Sequence, residues 1–167
     1  ALPKYLNQLG HNAKVVVPAY NNKFFQENDY DIVHQGQLKL GHFLFSYSIA
    51  KEKSNKLGFE LYQIAIPELF DRPNVYSYED DTERFISFQI AFLNWLIETN
   101  QYPDILHCHD HHTGLIPFMV QHCLNYQQLK NIPTLLTIHN GQYQGWFGYD
   151  KLHYLPTFDL SKIGYLE

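Results

Sequence analysis

Two apolar runs that each end in titratable side chains constrain this chain more than any other feature. Residues 104–109 have the character of a strand and run into a cluster of imidazoles with one carboxylate. Residues 134–139 read as a second strand, which ends at His139 and Asn140. The apolar spacing of residues 113–125 predicts a helix between the two strands. Together the three segments form a β-α-β unit, so we expect the strands to run parallel.

The carboxyl ends of these two strands define a candidate site. Parallel strands end at the same edge of a sheet, and the ligands of open α/β sheets bind outside that edge. Four polar side chains lie at or just beyond the two strand ends: Asp110, His112, His139 and Asn140. A single histidine on a strand is usually a structural residue, but four polar groups at one edge favour a site for a small polar substrate.

The remaining segments predict an α/β domain in which a Rossmann-like, mostly parallel sheet is flanked by helices. Apolar periodicity predicts helices over residues 2–9 and 79–100. Strands are predicted for three further runs, of which the last two form a hairpin: 14–18, 43–49 and 59–66. We expect residues 19–42 to form a loop with a broken edge strand, and the tail to Glu167 to form a loop with a short helix.

The amino end of the chain predicts a fragment. The first residue is not Met, and residues 2–9 already read as a helix, whereas an α/β domain usually opens with a strand. We therefore expect that the first strand of the domain is missing. The length of 167 residues suits one domain or most of one.

Composition excludes several classes of partner. There are 12 Lys and Arg against 17 Asp and Glu, with no basic run, so neither nucleic acid nor an anionic membrane is an expected partner. No apolar run reaches the ~18 residues that span a bilayer. Cys108 and Cys123 are expected to be buried free thiols in a reducing cytoplasm. The abundance of aromatic residues is compatible with stacking on sugars, although aromatic cores are more common.

A zinc site is an alternative use of the same residues. His107 and His109 are two positions apart, so both project from one face of a strand and could present two imidazoles to zinc. Asp110 and His112 would complete the cluster of a zinc-dependent hydrolase. However, Asp110 comes one place too early for the His-x-His-x-Asp-His pattern, and no further cluster supplies a clear third ligand. Elbow-type nucleophiles and glycine-rich phosphate loops are absent from the sequence.

Two longer motifs resemble a known family. Residues 103–115, PDILHCHDHHTGL, resemble the PD(V/I)(V/I)HxHDWH(T/A)GL stretch of bacterial glycogen synthases and plant starch synthases. Residues 137–147, TIHNGQYQGWF, resemble the T(V/I)HNxxYQGxF stretch of the same family. Shorter landmarks follow the family order as well: residues 1–4, 9–11, 17–20 and 70–73.

This resemblance implies a GT-B glycosyltransferase of family 5. The chain would be part of the N-terminal, acceptor-side catalytic domain over residues 1–167, and the C-terminal nucleotide-binding domain would lie outside it. The implied reaction transfers glucose, with retention of configuration, from ADP-glucose to the non-reducing end of an α-1,4-glucan. UDP-glucose is the alternative donor. The family requires neither a catalytic metal nor a cofactor.

The resemblance also implies roles for individual residues. Asp110 and His139 match the family residues that line the transferred glucose, and we interpret them as catalytic. Four weaker candidates for substrate binding are Tyr76, His112, Asn140 and Tyr143. For Tyr143, a structural role in stiffening its loop is an equally good interpretation, as it is for Trp146.

Three departures from the family limit the implied activity. His111 stands where the family usually has Trp, the family's Lys-x-Gly-Gly loop is not in this sequence, and neither is the C-terminal domain. We therefore expect the chain alone to be inactive. Two alternatives stay open at this point, namely the zinc hydrolase described above and a non-catalytic module that binds glucan through its aromatic residues.

Overall fold

A computed structural model describes residues 2–163, which fall into two compact units. The first unit contains the residues up to Gln37 together with Phe45–Tyr78. The second contains Leu38–Leu44 together with the residues from Glu79 onward. A four-stranded sheet belongs mainly to the first unit, and a two-stranded sheet belongs to the second.

The larger sheet is mixed. Its strands are β1 (Lys14–Pro18), β2 (Tyr30–Leu40), β3 (Phe43–Glu52) and β4 (Glu60–Ala65), in the spatial order β1-β4-β3-β2. β1 runs parallel to β4, with Val16 opposite Tyr62, whereas β3 runs antiparallel to β4. The strands predicted at 14–18, 43–49 and 59–66 are therefore confirmed.

Two short helices accompany this sheet, and one sequence-based prediction beside it is correct only in part. Helix α1 is Leu2–Gln8, close to its predicted bounds, and α2 is Lys23–Glu27. The edge strand predicted within residues 19–42 is present as β2, but it is a continuous strand of 11 residues and not a broken one, and α2 precedes it where a loop was predicted. Most side chains of β2 are not buried, so its sequence lacks a sustained alternation of apolar and polar residues. Pairing with β3 forms the strand instead.

One long helix contributes more buried apolar side chains to the second unit than any other helix or strand described there. Helix α3 is Asp81–Glu98, which confirms the prediction over 79–100, and Asp81 and Glu83 lie in its first turn. There they interact favourably with the positive end of the helix dipole. Apolar side chains of α3 fill the core: Phe85, Ile86, Phe88, Ile90, Leu93, Trp95 and Leu96.

The predicted β-α-β unit is present in the second unit. Strand β5 (Leu106–His109) runs parallel to β6 (Thr134–Thr137), with His109 opposite Thr137. Helix α4 (Ile116–His122) lies between them and is shorter than the predicted helix. Short 3₁₀ helices make up four further segments: His111–Thr113, Leu124–Leu129, Tyr149–Tyr154 and Leu160–Lys162. The tail prediction continues to residues 164–167, which lie outside the described residues.

The start of α4 has no local side-chain cap. The hydroxyl group of the nearby Thr113 bonds to the backbone of His109 instead. Helix α4 is capped instead by the buried side chain of Gln89 on α3. Its Oε1 accepts hydrogen bonds from the amides of Leu115 and Ile116 over 2.8 and 3.1 Å. Two amides at the helix start are thereby satisfied by tertiary contact, not by a local cap.

Both cysteines are buried and free, as predicted. Burial raises the pKa of the Cys108 and Cys123 thiols to about 11, so both are protonated at neutral pH. None of the helices described for residues 2–163 has the length and hydropathy that a bilayer crossing requires.

Candidate functional site at the carboxyl ends of β5 and β6

The ends of β5 and β6 bring Asp110 and His139 into contact. The amide of Asp110 donates to the carbonyl oxygen of Thr137 over 2.9 Å, which extends the parallel ladder by one residue. The amide of His139 in turn donates to Oδ1 of Asp110 over 2.6 Å. A carboxylate from one strand end thus fixes the backbone just beyond the other strand end.

Asp110 adopts a strained backbone conformation. Its φ is 56° and its ψ is −173°, close to a region that glycine occupies almost exclusively. Such a conformation costs about 1–3 kcal/mol and persists only where the surrounding structure enforces it. At Asp110 the strain turns the chain sharply at the end of β5, which directs the carboxylate towards the loop that follows β6.

Backbone amides keep the Asp110 carboxyl group ionised. The hydrogen bond from His139 lowers the pKa of this carboxyl below its ordinary value, and a further backbone bond from Asn140 adds to the effect. Partial burial acts in the opposite direction but is outweighed. Because two amides occupy only part of the capacity of a carboxylate to accept hydrogen bonds, lone pairs remain for a ligand hydroxyl.

Three imidazoles line the exposed side of this strand pair. Nδ1 of His109 lies 3.0 Å from Nε2 of His139, and the two ring planes are within 11° of parallel. The ring of His107 stacks on that of His109 with centroids 4.2 Å apart. Nε2 of His107 also lies 2.7 Å from Oγ1 of Thr137. The three rings therefore form one connected row that ends at His139.

His112 packs against helix α3. Its ring lies against that of Phe85 with centroids 4.3 Å apart, and it is tilted against the ring of His111 at 3.8 Å. Burial, reinforced by the neighbouring His111, lowers the pKa of His112 to about 4. His112 is therefore neutral near pH 7, and its ring packs against α3.

The other sequence-predicted residues lie in two places. Asn140 is exposed on the loop after β6, where its Oδ1 accepts a hydrogen bond from the amide of Gln142 over 3.0 Å. Tyr143 lies on the same loop with 60% of its surface exposed. Tyr76 is 50% exposed and belongs to the first unit. The strand ends thus bring together Asp110, His139 and Asn140. Tyr143 follows Asn140 by three residues on the same loop.

A contact between His111 and Gly145 was not anticipated from the sequence. Gly145 has a φ of +62°, and a Cβ built on it would lie 2.6 Å from Cδ2 of His111. The backbone of the loop after β6 therefore lies directly on the His111 ring. Both residues were singled out by the sequence: Gly145 lies within the motif over 137–147, and His111 is the position that departs from the family Trp. The sequence alone does not indicate that the two residues touch.

The predicted zinc ligands do not converge. His107 lies against Thr137, His109 against His139, and His112 against Phe85. Among residues 2–163, no group of three or more metal-ligating side chains is placed to hold one ion. This arrangement does not favour the zinc hydrolase.

The profile of the starch synthase catalytic domain family matches residues 1–166. A glycogen synthase of Flavobacterium johnsoniae is 62% identical over 167 residues, which is 100% of this chain and 35% of that protein. A glycogen synthase of Vibrio cholerae is 33% identical over 174 aligned positions, again covering 100% of this chain and 35% of the relative. The chain therefore spans about a third of the length of these curated relatives.

A solved structure agrees with these matches. The catalytic domain of starch synthase IV from Arabidopsis thaliana, bound to ADP and acarbose, aligns with a TM-score of 0.77 and 26% identity. The alignment covers 86% of this chain and 30% of that one. It supports the predicted fold, in which parallel strands and flanking helices form the N-terminal half of a GT-B architecture.

Proposed function

Since this chain belongs to the family of starch synthase catalytic domains, we propose that the complete protein is a glycogen synthase. It transfers glucose from ADP-glucose to the non-reducing end of an α-1,4-glucan, with retention of configuration. Residues 1–167 contribute the acceptor-side domain. We place the nucleotide-binding domain in the larger part of the protein that corresponds to the unmatched length of the relatives.

The observation that carries this proposal is the hydrogen bond between Asp110 and the backbone of His139. A glucosyl group held at the strand ends would meet an ionised carboxylate and an imidazole together. During transfer, the bond from the anomeric carbon to the phosphate oxygen breaks, and a bond to the acceptor hydroxyl oxygen forms. The hydroxyl proton leaves with the released diphosphate.

Preorganised charge explains how these residues would accelerate the reaction. Positive charge develops on the sugar ring as its bond to phosphate breaks, and the Asp110 carboxylate is already ionised and fixed by backbone amides. The carbonyl oxygen of His139 adds a second partial negative charge. Groups preorganised in this way are typically worth ~3–4 kcal/mol each, or about 10²–10³ in rate.

The remaining predicted residues receive supporting roles in this proposal. Asn140 and Tyr143 contact the sugar from the loop after β6, and Tyr76 remains a weaker candidate for substrate binding. His112 contributes through its contact with Phe85, which supports the turn after Asp110. The reaction uses no cofactor and no metal. Two buried thiols suit a cytoplasmic enzyme.

ADP-glucose is the proposed donor. The Arabidopsis structure bound to ADP and acarbose supports an ADP-linked sugar and a glucan as the substrate pair. UDP-glucose is the competing donor, because the domain that reads the base lies outside this chain. A direct comparison of the two donors decides between them.

The test uses the complete gene product. Labelled glucose is offered as ADP-glucose or UDP-glucose with glycogen as acceptor, in excess EDTA, and the anomeric configuration of the new linkage is determined by NMR. We expect incorporation from ADP-glucose that is resistant to EDTA and forms α-linkages. Absence of transfer from either donor, or its complete loss in EDTA, contradicts the proposal.

The same assay separates the enzyme from a glucan-binding module. A module would bind glycogen without transferring glucose, and its affinity would depend on exposed aromatic residues and not on Asp110. We therefore expect Asp110→Ala to abolish transfer while leaving glycogen binding measurable by affinity electrophoresis. Glycogen binding without transfer in the native protein favours the module.

A further inference from the structure

We propose that His109 is a positioning residue that holds the imidazole of His139 in one orientation and one tautomer. This inference rests on the proposed function, because it assigns His139 to the sugar. The geometry points to it through the 3.0 Å separation between Nδ1 of His109 and Nε2 of His139. His109 itself does not touch the sugar.

The backbone of His109 is rigidly held. His109 lies opposite Thr137 in the parallel register of β5 and β6. The hydroxyl group of Thr113 accepts a hydrogen bond from the amide of His109 over 2.6 Å and donates one to its carbonyl oxygen over 2.8 Å. A side chain on such a fixed backbone is a suitable anchor for a residue on an exposed loop.

The ring of His109 is held from its other side as well. His107 stacks on it at 4.2 Å, and His107 is itself fixed by its contact with the Thr137 hydroxyl group. His139, in contrast, lies beyond the end of β6 and is exposed. The row of three imidazoles therefore begins on the fixed strand β5 and ends at His139, the residue whose orientation it sets.

The hydrogen bond determines which nitrogen of His139 is left for a ligand. Nε2 is committed to His109, which leaves Nδ1 to face a sugar hydroxyl. Only one of the two facing nitrogens can carry a proton, because two N–H groups would oppose each other. The bond thus couples the tautomer of His139 to that of His109, as second partners of functional histidines commonly do.

The surroundings of His109 favour its neutral form. The titratable groups that face it are His107 on the same strand, His139 beyond β6, and Asp110. Desolvation lowers the pKa of His109, the two imidazoles lower it further, and Asp110 opposes them. The neutral form of His109 is therefore favoured. In that form its Nδ1 either donates a proton to His139 or accepts one from it.

Two substitutions at His109 distinguish the contribution of its hydrogen bond from that of its stacked ring. In His109→Asn, the side-chain amide places a polar atom near the position of Nδ1 but removes the stacking surface. In His109→Phe, the ring is kept and both nitrogens are lost. His122→Phe, at the end of α4, is the matched control for replacing a histidine ring.

The experiment measures kcat and KM for the complete gene product and records the side-chain ¹⁵N shifts of its histidines. His139 is assigned by comparison with His139→Gln. We expect His109→Phe to lower kcat about tenfold while KM for glycogen changes little, which corresponds to the loss of one hydrogen bond. His109→Asn recovers most of this rate, and His122→Phe matches the native protein. In the native protein His139 shows a single tautomer with its Nε2 hydrogen-bonded, and in His109→Phe it shows a mixture.

Two results overturn the inference. Equal losses of kcat in His109→Asn and His109→Phe would mean that the ring, not its nitrogen, is required. A native His139 that already exchanges between tautomers would mean that His109 does not hold it, whether or not the variants fold. Failure of the proposed function gives a different pattern, with no transfer in the native protein but an unchanged ¹⁵N signature for the pair.

Discussion

The ring of His111 lies against the backbone of Gly145, so closely that a Cβ on Gly145 would come within 2.6 Å of Cδ2 of His111. This contact joins the turn after β5 to the loop after β6, which are the two segments that carry Asp110 and Tyr143. It also gives His111, which departs from the family Trp, a definite structural role.

Gly145→Ala is expected to disturb this loop. The substitution adds a steric clash with His111 to a backbone at φ +62°, which L-residues adopt at a cost of about 1–2 kcal/mol. We expect a lower melting temperature and reduced transfer activity, measured by calorimetry and by glucose incorporation.

A second glycine of the same loop provides the control. A Cβ on Gly141 would meet nothing within 4 Å, and Gly141 has no positive φ, so Gly141→Ala should leave the melting temperature nearly unchanged. The double variant His111→Ala with Gly145→Ala should recover part of the loss, because it removes the clash but not the backbone strain. Equal effects at both glycines would contradict the importance of the contact.

Gln89 is expected to be essential for stability. Gln89→Leu leaves the amides of Leu115 and Ile116 without their acceptor at the buried start of α4. Leaving a buried donor unsatisfied costs about 1–3 kcal/mol, so we expect a loss of that size in the free energy of unfolding by urea. Gln127→Leu is the matched control, because Gln127 is exposed and makes a single bond to the carbonyl of Cys123. A loss as small as that of the control would refute the capping role.

Acid is expected to destabilise the fold through His112. The pKa of His112 is lowered to about 4 in the folded protein, largely by burial, against an ordinary value of 6.5. Between these pH values the unfolded chain binds more protons than the folded one, so stability falls as the pH is lowered from 6.5 towards 4. Below that range no further loss arises from this residue.

Replacing His112 tests the assignment of this acid sensitivity. His112→Phe keeps an aromatic ring against Phe85 but cannot be protonated, so its stability should vary less between pH 6.5 and 4 than that of the native protein. Urea unfolding at several pH values measures the slope. An unchanged slope would show that other groups are responsible.

The sequence predicts those parts of the structure that local pattern determines. Helix α3 follows from its apolar periodicity, and β5 and β6 follow from short apolar runs between turn residues. The full extent of β2 could not be foreseen, because only two of its residues are buried and it forms through pairing with a neighbour. The cap of α4 could not be foreseen either, since Gln89 lies 26 residues before Leu115.

The candidate site was predictable in its location but not in its internal contacts. Parallel strands must end at one edge, so the proximity of Asp110 and His139 follows from topology alone. The bond between His109 and His139 depends on side-chain orientations beyond the strand ends, which no periodicity specifies. The packing of His112 on Phe85 depends on the strained turn at Asp110, where the alternation of a strand no longer applies.

The catalytic role of Asp110 is tested by the transfer rate of Asp110→Asn in the complete gene product. The amide oxygen of Asn can still accept the bond from the His139 backbone, so this variant removes the charge and keeps the support, whereas Asp110→Ala removes both. Asp159→Asn, which changes another carboxylate that accepts a backbone amide, serves as the control. We expect Asp110→Asn and Asp110→Ala both to lose about a hundredfold or more in kcat, while Asp159→Asn keeps the native rate. A near-native rate for Asp110→Asn would show that Asp110 only supports the loop, and it would contradict the proposed site.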